Sequence, residues 1–194
     1  MKRPAPPTDD YIRFDQFEDV VASVELVARL ASVPDDSSSR CKWMVVATHS
    51  ALQGAMVCAL FDRADYLESV SKKTAQRAAK LGVPPESLAE DHLVEFAVLL
   101  ERCVAGNKFC DPLVLTPQAR ETILMLHKEF RNNFLHFAPF GWSILKMMLP
   151  PMVCTALDTV ETLMRRAQAI NRLTEAQQDR LATALQTARD ALVG

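Results

Sequence analysis

The chain has 194 residues, 49% of them hydrophobic, which suffices for one sizeable core and would leave two domains each small. A formal net charge of -2 excludes a surface coated in positive charge for indiscriminate nucleic-acid binding, though not a local cationic cleft. The cysteines, Cys41, Cys58, Cys103, Cys110 and Cys154, are scattered without a close pair. Neither a zinc ribbon nor a redox motif is present, and four of them are expected as small buried thiols.

Residues 1–13 are charged and proline-rich and read as a flexible N-terminus without the apolar stretch of a signal peptide, so a cytoplasmic location is expected. Phe14, Phe17, Val20, Val21, Val24, Val27, Ala28 and Ala31 recur at steps of three and four and predict an amphipathic helix over 14–32. The run Val33-Pro34-Asp35-Asp36 followed by serines ends it. The window Trp43 to Phe61 approaches membrane length, but Thr48, His49, Ser50 and Gln53 suit lipid badly, so it reads as a central core helix and no membrane partner is expected. Within it Ala47, Ala51, Gly54 or Ala55, and Cys58 make a small-residue stripe along which a neighbouring backbone can approach, while Trp43, Met44, Val57 and Leu60 fill the space around it.

Residues 66–81 form a weaker helical pattern with Lys72, Lys73, Arg77 and Lys80 on a solvated face, and 66–85 is a candidate insertion. Gly82-Val83-Pro84-Pro85 breaks that pattern, and Ser87 with Glu90 forms a capping box for a helix reaching about Val104, ended by Ala105-Gly106-Asn107. Thr116-Pro117 starts a further helix with Ile123, Leu126, Phe130 and Phe134 as its core stripe and Pro139 as its stop. Ser143 is the expected cap of the next segment, with Trp142 and Met147 as a hydrophobic staple, and Pro150-Pro151 interrupts what begins there. A helix from Pro151 to Ala169 turns Val153, Leu157, Val160 and Met164 inward. Thr174 with Gln177 opens the last helix, whose Leu181, Leu185, Ala188 and Leu192 dock on the bundle or on a second subunit. With no strand alternation, repeat or glycine-rich phosphate loop, the fold class is all-α, one helical domain over 14–194.

Unusual side chains converge only in Lys128-Glu129-Phe130-Arg131-Asn132-Asn133-Phe134-Leu135-His136-Phe137. Phosphodiester cleavage needs a cation against the scissile phosphate and a group that titrates near neutrality, and Arg131 and His136 are of those types. On a regular helix the two point roughly 140° apart with roughly 7.5 Å of rise between them, so a shared cleft belongs at the helix end or across a two-fold axis. Asn132 and His136 are on one face, so Asn132 is placed to orient the imidazole or hold a substrate oxygen. Taken alone, such a pair is also an ordinary complement to the negative end of a helix. His127, Lys128 and Asn133 flank this candidate cleft, His49 reads as a hydrogen-bonded core group and His92 as exposed. Three converging metal ligands cannot be assembled, no serine or cysteine has an activating pair, and neither metal nor other cofactor is expected.

The Arg131-to-His136 spacing, with polar Asn132 directly after the arginine, resembles the signature of the HEPN superfamily, named for higher eukaryotes and prokaryotes nucleotide-binding proteins. The wider segment from Phe130 through Phe134 and Phe137 to Gly141-Trp142-Ser143-Ile144 is similar to a bacterial HEPN-like group of uncharacterised proteins. The resemblance implies an up-and-down bundle of HEPN type with additional helices, commonly homodimeric, in which the motifs of both subunits meet. It further implies a metal-independent endoribonuclease that cleaves RNA through a 2′,3′-cyclic phosphate. Arg131 would polarise the phosphate, His136 move protons and Asn132 position substrate or histidine. The alternative within the same superfamily is an inactive dimerisation, nucleotide-binding or protein-interaction module.

Overall fold

A computed structural model describes residues 15–34, 37–60, 72–83, 94–106, 111–136, 141–165 and 173–194. All regular secondary structure among them is helical: α1 (Gln16–Ser32), α2 (Ser38–Leu60), α3 (Lys72–Leu81), α4 (Phe96–Ala105), α5 (Pro117–Met125), α6 (Asn132–Leu135), α7 (Leu149–Met164) and α8 (Glu175–Val193). A π-helical turn (Leu126–Arg131) joins α5 to α6, and a 3-10 turn (Lys146–Met148) leads into α7. The protein is an all-α helical bundle.

Asp15 opens α1 by accepting hydrogen bonds from the Phe17 and Glu18 amides at 2.9 and 2.8 Å, which satisfies two orphan donors of the first turn. The α1 stripe from Phe17 to Ala31 is buried as its periodicity predicts; Phe14 lies outside the described residues. Arg40, in the first turn of α2, donates to the Leu30 and Ala31 carbonyls and so ties the start of α2 to the end of α1. Helix α2 then runs through the centre, packed against α1, α4, α7 and the π turn. Its small residues set the closest approach: a Cβ on Gly54 would stand 2.7 Å from Val20 Cγ2. Ala47, Ala51, Ala55 and Cys58 are buried along the same helix, whereas Trp43 is 48% exposed and does not fill the core. This is the one described helix long and apolar enough to cross a membrane, and 67% of its apolar window is buried in the bundle.

The capping box of Thr174 and Gln177 is present at α8. That helix docks on α1 of its own chain: Leu181, Leu185 and Ala188 enter the core, Arg180 bonds to Glu18 and Glu25, and Gln177 reaches Glu18 at 3.0 Å. Helix α7 buries the expected Val153, Leu157, Val160 and Met164.

Several boundaries differ from expectation. Helix α4 begins at Phe96, with Val94 and Glu95 non-helical, so a helix running unbroken from the Ser87 region is excluded; Ser87, Glu90 and His92 lie outside the described residues. What anchors its first turn is the burial of Phe96. Ser143 caps no helix, because 141–145 is irregular and Met147 stands 79% exposed. Trp142 packs instead on Phe134 and Phe130, at ring-centroid distances of 4.7 and 6.2 Å. Pro150 and Pro151 begin α7 rather than interrupt it, since a first turn has no use for the amides they lack. Helix α7 ends at Met164, and the expected extension over 166–169 lies outside the described residues, as do Pro139, Cys110 and the side chains of Lys72 and Lys73. Arg77 and Lys80 are exposed on α3, and of the expected buried thiols Cys58 and Cys103 are buried while Cys41 and Cys154 are half-buried.

Candidate functional site

Thr116 and Pro117 start the motif helix as expected, with Thr116 accepting from the Ala119 amide at 3.1 Å. Ile123, Leu126 and Phe130 are buried and Phe134 packs on the core's edge. The helix is not uniformly α, because six residues from Leu126 to Arg131 form a π turn. Such a turn widens the helix locally and moves the residues beyond it off the 100° lattice, so the azimuths expected for a regular helix do not hold.

Within that turn His127 faces α2. His49 Nε2 and His127 Nδ1 are 2.9 Å apart, so one ring donates its N–H to the other. The Phe96 ring lies against both imidazoles, 4.7 Å from His49 and 4.4 Å from His127 between centroids. Three helices thus close on one cluster: α2 gives His49, α4 gives Phe96 and the π turn gives His127. Burial pushes the His49 pKa down to about 3, and the neighbouring His127 and Arg131 reinforce the shift. His127 is likewise held below its ordinary value, by burial first and then by the charges of Arg131 and Lys128, with Glu95 opposing them. The pair is therefore neutral at pH 7, because a proton on either ring would be desolvated beside a guanidinium.

Arg131 is half-buried, and its Nη1 donates to Asn132 Oδ1 at 3.0 Å. The Asn132 side-chain oxygen thus accepts from the arginine directly before it. The Asn132 backbone carbonyl does accept the His136 amide at 2.8 Å. His136 itself is the C-cap, with φ -113° and ψ 75°, so its side chain leaves the helical direction and is exposed. Lys128 is exposed and Asn133 half-buried.

The structure thus brings Arg131, Asn132 and His127 together with His49, a buried core group. It leaves His136 exposed at the helix end. The missed signal was the pairing of His49 with His127, 78 residues apart, and only the packing of α2 on the π turn reveals it. Among the described residues no group of three His, Cys, Asp or Glu side chains is arranged to hold a metal ion. The chain matches no known family model, no curated protein and no solved structure.

Proposed function

We propose that the protein is an endoribonuclease of HEPN type that cleaves RNA without a metal ion. The observation that carries the reading is the π turn, which sets a neutral imidazole, His127, in the field of the Arg131 guanidinium that Asn132 holds, five residues before the exposed His136. Arg131 neutralises the scissile phosphate. The neutral His127 imidazole takes the proton of the 2′-hydroxyl as its oxygen attacks phosphorus, and the 5′-oxygen leaves with a proton from His136. The products are a 2′,3′-cyclic phosphate and a 5′-hydroxyl. His49 touches no substrate in this scheme and positions His127 through the shared hydrogen bond.

A second copy completes the cleft. Leu135, Leu145 and Met147 are exposed apolar residues at the motif's end of the bundle, an arrangement that suits a two-fold contact between copies. The rival reading is a non-catalytic dimerisation, nucleotide-binding or protein-interaction module, favoured by the half-burial of Arg131 and its bond to Asn132. The deciding experiment incubates RNA in chelator with wild type, Arg131→Ala, His127→Ala and His136→Ala. Cleavage with cyclic-phosphate ends is expected for wild type, with losses of about 100-fold or more in variants that keep their circular dichroism. Equal cleavage by all four would expose a contaminant, and no turnover by wild type would leave the rival module.

A further inference from the structure

The start of α2, the end of the motif helix and the loop 141–146 border an open cleft of about 700 Å³. Its walls carry Trp43, Trp142 and Phe134 beside Lys42 and Lys146, and no described lining residue is acidic. The described lining thus sets two cationic side chains among aromatic ones. Trp43 is 48% and Trp142 38% exposed, so both present ring surface to solvent. Lys42 Nζ lies 5.3 Å from the Trp43 ring centroid, which sets a cation beside an aromatic face. A base needs a ring to stack on and the adjoining phosphate needs a cation, and the volume lies within the range of small-ligand sites. Duplex RNA has its bases stacked internally and cannot offer them to such walls.

We propose that this cleft binds single-stranded RNA, stacking an unpaired base against the tryptophans and placing its phosphates at Lys42 and Lys146. The proposal rests on the endoribonuclease reading and gives it a substrate class, RNA with unpaired nucleotides next to the scissile bond. The cleft shares Phe134 with the motif helix, three residues beyond Arg131.

The chain's two tryptophans both line this cleft, so intrinsic fluorescence reports on it directly. The probe is a single-stranded 2′-O-methyl oligoribonucleotide, which lacks the nucleophile and cannot be cleaved, so binding is read apart from turnover. Saturable quenching is expected with wild type. In a Lys42→Glu, Lys146→Glu double variant the affinity should fall at least tenfold, and the slope of log K against log salt should flatten by about 1.4, the loss of two phosphate contacts on a single strand. Trp43→Ala, at an exposed position, should weaken binding roughly fivefold or more with the fold intact. Unchanged affinity in the lysine variant, absence of quenching, or equal quenching by duplex RNA would each overturn the proposal. If the probe fails to bind while wild type still cleaves RNA, the cleft assignment is wrong and the nuclease reading stands. If the probe binds as described and RNA is never cleaved, the cleft stands and the nuclease reading falls.

Discussion

The two ends of α2 are built on opposite terms. Around Gly54 the helix is pressed against α1, with Val20 fully buried where a methyl group on the glycine would collide. At Lys42 and Trp43 the same helix borders an open cleft, and the large side chain is turned half to solvent. Close approach of two helices comes from what α2 lacks, namely bulk along its small-residue stripe. The open end keeps large aromatic and cationic groups that a core would have to bury at a cost, and that cost is avoided only because the space beside them is not filled. The contrast separates the part of the molecule that fixes the fold from the part that is free to bind.

The largest effect should follow from removing residues 174–194, because α8 covers α1 on the closed side and supplies Leu181, Leu185 and Ala188 to the core. The shortened chain should lose its cooperative thermal transition by circular dichroism, since losing the buried Leu181 and Leu185 while uncovering the apolar face of α1 removes stabilisation of the same order as a typical domain's whole margin. A truncated protein that still melts cooperatively at the same temperature would make α8 an accessory rather than a member of the bundle.

A smaller and sharper test is Gly54→Ala. In an exposed helix this change stabilises by about 1 kcal/mol, but here the added methyl meets Val20 at 2.7 Å, and Val20 is too stiff at its branched carbon to step aside. Overpacking should reverse the sign and cost about 1–3 kcal/mol, seen as a lower denaturant midpoint at an unchanged slope. In a Val20→Ala background the same substitution should become neutral or favourable, and that coupling is the signature of contact. Additive effects would mean the helices separate enough to absorb the methyl.

The closed side was largely legible in the sequence. The stripes of α1, α7 and α8 are buried as their periodicity predicts, and the caps at Thr116 and Thr174 act through local chemistry that sequence encodes directly. The open side was not. Whether a helix accommodates an extra residue as a π turn depends on what packs against it, so nothing between Leu126 and Arg131 announced one. The local pattern around Trp142 suits a staple for the next helix, but Phe134 and Phe130 offer it a larger aromatic surface across the loop. Arg131 and Asn132 were legible as candidates because of their type, while the partnership of His49 and His127 depends on tertiary packing alone.

That partnership gives the smallest expected effect, and it reads the boundary between the two sides. His49 is 3% exposed, and its folded pKa is depressed to about 3. In the unfolded chain it regains an ordinary histidine value of about 6.5. Between those values the unfolded state binds a proton that the folded state refuses, so stability is complete above the unfolded pKa and declines as pH falls below it. The slope from this one group is about 1.4 kcal/mol per pH unit, and it ends near the folded pKa, where the folded protein takes up the proton too. His127 is depressed as well, by burial first and then by Arg131 and Lys128, and steepens the decline in the same direction. Glu18 and Glu25, whose carboxyls Arg180 holds below the ordinary glutamate range, also lose stability on acidification, but at lower pH. Burial raises the Asp19 carboxyl, which opposes the decline equally in wild type and variant. Denaturant midpoints from about pH 7 down to about pH 5 are therefore compared between the two, and the decline should be shallower in His49→Gln. Parallel declines for wild type and variant would mean that His49 is solvated enough to titrate normally. The imidazole pair would then belong to the open side of the molecule, not to its core.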